Sequence, residues 1–234
     1  MYDTYIFDLD GTLLDTLDDL TAATNEALAA FGCPIRKREE VKSFVGNGIR
    51  LLIERAVPGG ASHPHFSDIF GEFKRFYAEH CCDATKPYDG VLEMLRELKR
   101  TGKKAAIVSN KADFAVKELA KRYFGALTEA AVGENEAAGI RKKPAPDSVF
   151  SVLTLLNADR GKAVYIGDSE VDIETAENAG LPCISVTWGF KTEAFLRAHG
   201  ARRLVRSPAE ILEYFPFLPR MKKTRALYLS VFFT

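Results

Sequence analysis

The stretch Tyr5-Ile-Phe-Asp-Leu-Asp-Gly-Thr runs from an apolar, β-branched and aromatic segment straight into two carboxylates, Asp8 and Asp10, followed by Gly11 and Thr12. Residues two apart on a strand share a face, so both acids begin on one side of a buried element. Like charges there cost free energy unless a cation or hydrogen-bond donors receive them. Asp168 ends another apolar run in "IGDSEVD" at 166–172, and Asp172 falls one turn into the helical segment after it. Three or four carboxylates converging at one sheet edge form a hard-oxygen environment suited to Mg²⁺. Gly11 permits a tight turn that lets backbone N–H groups face an anion. Ser109 and Asn110 close "KAAIVSN" at 104–110 with a hydroxyl and further N–H groups, and Lys143 of "RKKPAPD" adds a cation before a proline-stiffened turn. Around one phosphoryl group, this set lets Asp8 attack phosphorus in line and form an aspartyl phosphate. Asp10 then serves as acid to the leaving oxygen and as base to the hydrolytic water.

Taken singly, each residue also has a plainer reading. D-x-D and Ser-Asn pairs cap helices and make turns, lone lysines are mostly solvated, and Asp172 suits the first turn of a helix. These readings leave unexplained why three strand ends, in chain order, carry the residue types that one reaction needs. The elements that position them are apolar runs at 5–10, 104–110, 129–134, 163–168 and 183–189. They alternate with helix-patterned stretches at 91–100, 112–123, 146–156, 171–179 and 192–199. That alternation predicts an α/β fold with a parallel sheet covered on both faces and a ligand site at the carboxyl ends of its strands. From 15 to 86 only helical patterns occur, at 17–31, 41–44, 49–56 and 66–80. The expected division is an α/β core of residues 1–14 and 87–219 and an inserted all-helical cap of 15–86. The cap is either a moving lid or a permanently packed layer. The tail at 220–234 is basic and then strongly apolar, which suits packing on the body or a dimer contact.

Lys plus Arg and Asp plus Glu both total 32, so no net field points to nucleic acid or an anionic membrane as partner. The four cysteines lack C-x-x-C spacing and the chain starts without a charged-then-apolar leader, so a cytoplasmic protein without disulfides is expected. No apolar run reaches the roughly 20 residues of a membrane-spanning helix. Monomer and homodimer stay equally open.

"FDLDGTLLDT", "VSN", the lysine of "KKPAPD" and "GDSEVD" resemble, in matching order, the four motifs of the haloacid dehalogenase-like superfamily over most of residues 4–190. The resemblance implies a Rossmann-like core and Asp8 as nucleophile, with Asp10 as acid/base. Ser109 and Lys143 would bind phosphate. Mg²⁺ would be held by Asp8, the Asp10 backbone carbonyl and Asp168, with Asp172 in support. Dehalogenases proper lack the second acid, so Asp10 favours phosphoryl transfer. "FDLDGTLLDTLDDL" and "FVGNGIRLLIERA" at 44–56 are similar to the phosphoglycolate phosphatase branch, which implies a small phosphorylated metabolite, 2-phosphoglycolate foremost, as substrate. Gly46, Asn47 and Gly48 would let backbone approach that ligand and Arg50 meet its carboxylate or hydroxyl, although the segment reads equally as an interhelical turn with a surface arginine.

Sugar phosphomutases of the β-phosphoglucomutase type share the motifs but carry a histidine where this chain has Leu20. Pyrophosphatases and nucleotidases remain open, as do phosphonatases, which use a cap lysine; Lys37 and Lys42 are the ones near the first two cap helices. A phospho-accepting receiver module is the competing class, disfavoured by the large insert and by Asp10.

Overall fold

The computed structural model describes residues 2–213, so the expectation for the tail at 220–234 lies outside the described residues. Six strands form one parallel sheet: β1 (Thr4–Phe7), β4 (Lys104–Ala112), β5 (Ala130–Glu134), β6 (Ala163–Gly167), β7 (Cys183–Val186) and β8 (Leu204–Val205). Their order across the sheet is β5-β4-β1-β6-β7-β8. Thus β1 is central, with Ile6 opposite Ala106 on one side and Tyr165 on the other. The period-two alternation decides which layer each residue joins. Tyr5 and Phe7 pack with Leu95, Leu98 and Leu119 from α5 (Val91–Arg100) and α6 (Asp113–Tyr123). Ile6, Ala106 and Tyr165 pack on the opposite face with Val152 and Ala176 from α7 (Asp147–Leu155) and α8 (Glu170–Ala179). Burying side chains of this size is worth roughly 1.5–3 kcal/mol each, which fixes β1 firmly enough to aim the acids just beyond its end.

Four further helices come from the insert: α1 (Leu17–Ala30), α2 (Arg38–Phe44), α3 (Ile49–Ala56) and α4 (Phe66–His80). They share their own apolar cluster of Leu20, Leu28, Leu52, Ile53, Ile69 and Phe73, into which Phe190 of the sheet domain also reaches. The sequence predicts no strand between 15 and 86. Instead, the two ends of the insert pair as a short antiparallel ribbon, β2 (Leu14–Asp15) with β3 (Lys86–Pro87). Two-residue strands are too short to show a period. Beside the ribbon, the buried Asp19 carboxylate of α1 accepts from the N–H groups of Ala84 and Thr85, both at 2.9 Å.

The expected strand at 183–189 stops at Val186, and the remaining residues form a turn that enters the site. Within it, Trp188 Nε1 donates to the Thr12 carbonyl at 3.0 Å. Two short helices, α9 (Glu193–Ala198) and α10 (Pro208–Glu213), complete the described chain. No helix among the described residues is long and apolar enough to cross a membrane.

Candidate active site

The carboxyl ends of β1, β4 and β6 and the turn after β7 converge on one cleft, and the insert roofs it. Asp8, one residue beyond β1, is buried, and its Oδ1 accepts from Lys143 Nζ at 2.6 Å. The same ammonium donates to Asp172 Oδ1 at 2.7 Å and Tyr165 Oη at 3.1 Å. Lys143 is held in turn by Asn110, whose Oδ1 accepts from the Lys143 N–H at 2.6 Å and whose Nδ2 donates to the Lys143 carbonyl at 3.1 Å. The Asn110 amide therefore clamps the lysine main chain, although the residue itself lines the cleft beside Ser109. Ser109 Oγ accepts from the Lys111 N–H at 3.2 Å, which leaves its own proton to donate.

Asp168 follows β6 directly, and its Oδ2 accepts from the Phe190 N–H at 2.6 Å. Asp172 closes a capping box at the start of α8, with Oδ2 accepting from the Asp168 N–H, the Ser169 N–H and Ser169 Oγ. It thereby fixes Asp168, the Lys143 ammonium and the helix start at once. Gly11 (φ +89°) makes the close packing possible: a methyl there would lie 2.4 Å from Asp168 Oδ2, and one on Gly189 would lie 2.4 Å from Asp168 Cβ. Gly11, expected to turn backbone N–H groups toward an anion, is seen to allow this close approach and is not among the residues lining the cleft.

Asp8, Asp168 and Asp172 each offer an oxygen within 4.8 Å of the others. Burial, then the charges of Asp172 and Asp168, holds the Asp8 carboxyl well above the usual carboxylate range, against the pull of Lys143. Burial, then Asp172, pushes Asp168 up to about 7. For Lys143 burial acts downward, but Asp172 and Asp8 outweigh it and keep the ammonium charged. One lysine among three carboxylates leaves a deficit of positive charge. Hard oxygen donors, low dielectric and tightly held protons are what a divalent cation displaces on binding, so these residues fit a metal.

Asp10 points to the other side of the cleft, where its Oδ1 lies 3.3 Å from Lys111 Nζ. Lys111 is buried and donates to the hydroxyl of Tyr77 on α4 at 2.6 Å. Burial alone would lower Lys111, but Asp10 and Tyr77 overcome it and raise the ammonium above its ordinary value.

Lys111, Ser169, Phe190 and Lys191 also line the cleft, and sequence reasoning missed all four. The signal for Lys111 lay in its position next to Ser109-Asn110. Phe190 and Lys191 were hidden behind the overlong strand. Of the expected cap residues, Gly46 and Gly48 line the cleft. Asn47 accepts from Arg55 instead, and Arg50 stacks on Phe66 with its guanidinium 5.2 Å from the ring centre. Helical geometry explains this, because α3 turns Ile49 and Leu52 toward the cleft and so carries Arg50 to an exposed face. Lys37 and Lys42 do not line the cleft.

Residues 5–186 match the family described as haloacid dehalogenase-like hydrolase. The phosphoglycolate phosphatase of Pseudomonas syringae pv. syringae is 32% identical over 214 residues, covering 89% of this chain and 75% of that protein. The N-acetylmuramic acid 6-phosphate phosphatase of Pseudomonas aeruginosa is 30% identical over 210 residues, covering 89% and 92%. Among solved structures, a candidate phosphoglycolate phosphatase from Lactobacillus delbrueckii subsp. bulgaricus superposes with a TM-score of 0.86 at 36% identity over 91% of this chain and 98% of that one. CbbY of Rhodobacter sphaeroides in complex with phosphate gives 0.71 at 28% identity over 90% and 96%.

Proposed function

This chain belongs to the haloacid dehalogenase-like hydrolases, and from that membership we propose that it is a Mg²⁺-dependent phosphatase of small phosphorylated metabolites, 2-phosphoglycolate first among them. The observation that carries the reading is the division of labour between two acids two residues apart. Asp8 is buried beside Asp168 and held by Lys143, whereas Asp10 faces the opposite side of the cleft against Lys111.

Asp8 Oδ1 is anchored, which leaves Oδ2 to attack phosphorus. The bond to the leaving alkoxide breaks as Asp10 gives it a proton. Asp10 then takes a proton from water, whose oxygen attacks the aspartyl phosphate; inorganic phosphate leaves and Asp8 is restored. Ser109 and Lys143 hold the phosphoryl oxygens, and the apolar underside of the cap excludes bulk water. Asp8, Asp168 and the Asp10 carbonyl would hold Mg²⁺, with Asp172 bracing the set. Bound there, the ion would screen the charge of nucleophile and phosphate.

The test is turnover of 2-phosphoglycolate, sugar phosphates, nucleotides, pyrophosphate and phosphonoacetaldehyde by the purified chain with Mg²⁺. Hydrolysis led by 2-phosphoglycolate, and lost on chelation, is expected. Stoichiometric phosphorylation without turnover would instead support a receiver. The mutase reading is weakened because the position that would carry its histidine is Leu20, an apolar side chain in the cleft wall.

A further inference from the structure

Two lysines that line the cleft have no role in the reaction described above: Lys111, and Lys191 on the turn after β7. Lys143 touches the nucleophile, whereas Lys111 lies 3.3 Å from Asp10, the acid that must reach the leaving oxygen. Lys111 therefore stands on the leaving-group side. An ammonium has three protons. Tyr77 takes one at 2.6 Å and Asp10 another at a length beyond the usual 2.7–2.9 Å of a charged pair, so Lys111 keeps donor capacity toward the cleft it lines. Lys191, part-buried, makes only a 3.3 Å bond to the Val45 carbonyl at the cap's lip and faces the Phe195 ring.

The roof is of the opposite character. The cap contributes Leu20, Val45, Gly46, Gly48, Ile49 and Leu52 to the lining, and none of these has a side chain that can accept or donate a hydrogen bond. A polyhydroxylated leaving group would find only main-chain groups of the cap there to replace its lost water, at a cost of roughly 1–3 kcal/mol for each unmatched hydroxyl. A short leaving group whose other polar function is an anion meets no such loss, because the core lysines receive it.

Resting on the phosphatase reading, we propose that Lys111, assisted by Lys191, recognises a second anionic group on the substrate, a carboxylate on the alcohol carbon chain, and so selects phosphorylated hydroxy acids over sugar phosphates. Lys111 then works on both sides of the leaving oxygen: it steadies Asp10 and binds the carboxylate next to it. The cap's part is to exclude hydroxyl-rich alternatives.

The experiment compares 2-phosphoglycolate with 2-phosphoglycolamide, its isostere with a neutral amide in place of the carboxylate. Both are assayed with Mg²⁺ on the unaltered chain and on Lys111→Gln, Lys111→Arg and Lys191→Gln. The unaltered chain should favour the acid in kcat/KM. Lys111→Gln should cut kcat/KM about tenfold more for the acid than for the neutral isostere, chiefly through KM, as expected for one charge-assisted hydrogen bond. Lys111→Arg should retain part of the preference, and Lys191→Gln should lower it in the same sense by less. Equal losses on both substrates would reduce Lys111 to a support for Asp10 and overturn the proposal. A chain that turns over p-nitrophenyl phosphate with Mg²⁺ but shows no preference for the acid also overturns it while leaving the phosphatase reading intact. If no phosphate monoester is hydrolysed, both fall together.

Discussion

For the proposed attack on phosphorus Asp8 must be anionic, yet burial and two neighbouring acids work against its charge. Lys143 offsets part of this, and the remainder would make the affinity of the proposed Mg²⁺ site depend on pH. Asp168 titrates near 7, so each metal bound below that pH must displace protons. Mg²⁺ affinity measured by calorimetry should therefore climb between about pH 5.5 and 7.5 and flatten above. The same shift carries a stability sign. Because the folded Asp168 keeps its proton between about 4 and 7 while the unfolded chain has lost it, this residue's contribution without metal is full below about pH 4 and is lost as pH rises through 7. Chemical denaturation of the metal-free protein at several pH values, beside Asp168→Asn, should show that slope only in the unsubstituted chain. Asp8→Asn should lower turnover by at least about 10³-fold with little change in circular dichroism. Gly189→Ala should also impair activity, since its methyl would fall 2.4 Å from Asp168, and overpacking of this kind costs about 1–3 kcal/mol. A crystal structure in which Asp168 keeps its place beside that methyl would refute this expectation. At this scale the acids were legible by type and spacing but not by direction: β1 ends at Phe7, so the strand period expected to put Asp8 and Asp10 on one side does not reach them, and they face opposite sides of the cleft. Of the two readings left open for Arg50, the helical face it occupies favours the surface arginine, since α3 keeps it out of the cleft lining.

The ends of the insert form the joint between cap and sheet, and Asp19 is its fastener. Its carboxylate satisfies two N–H groups, those of the exposed Ala84 and the buried Thr85, in the segment leading back to the sheet. Asp19→Ala leaves the buried Thr85 N–H without an acceptor, while water can serve that of Ala84, and should destabilise the protein by about 1–3 kcal/mol; amide hydrogen exchange near residues 84–87 should rise well before exchange in β1 or β4. Uniform exchange in that variant would deny the joint its local role. The alternation of strands and helices was readable because each element is long enough to show a period. The β2–β3 ribbon and β8, each two residues long, were not. The end of β7 was overrun because "TWGF" is as apolar as a strand.

For the molecule as a whole, polar contacts between the cap and the sheet domain lie both at the joint, where Tyr123 Oη donates to the Thr85 carbonyl at 2.8 Å, and over the cleft. Asn110 Nδ2 reaches the Gly46 carbonyl at 3.5 Å, Lys191 the Val45 carbonyl at 3.3 Å, and Lys111 the Tyr77 hydroxyl at 2.6 Å. The first two are long and weak, so the 45–48 lip is the part of the roof most easily lifted, while Tyr77, near the joint, stays close to Lys111. The order of chemistry, scaffold and cover was visible in the sequence because the motifs fall at strand ends; how closely the cover rests on the sheet was not, because that depends on contacts between segments far apart in the chain. The indole of Trp188, bonded to the Thr12 carbonyl and preceding the glycine that faces Asp168, is the chain's only tryptophan. The protein thus contains its own fluorophore two residues from Phe190 of the cleft wall. Its emission would register an ion or phosphate arriving beneath the cap without any dye attached.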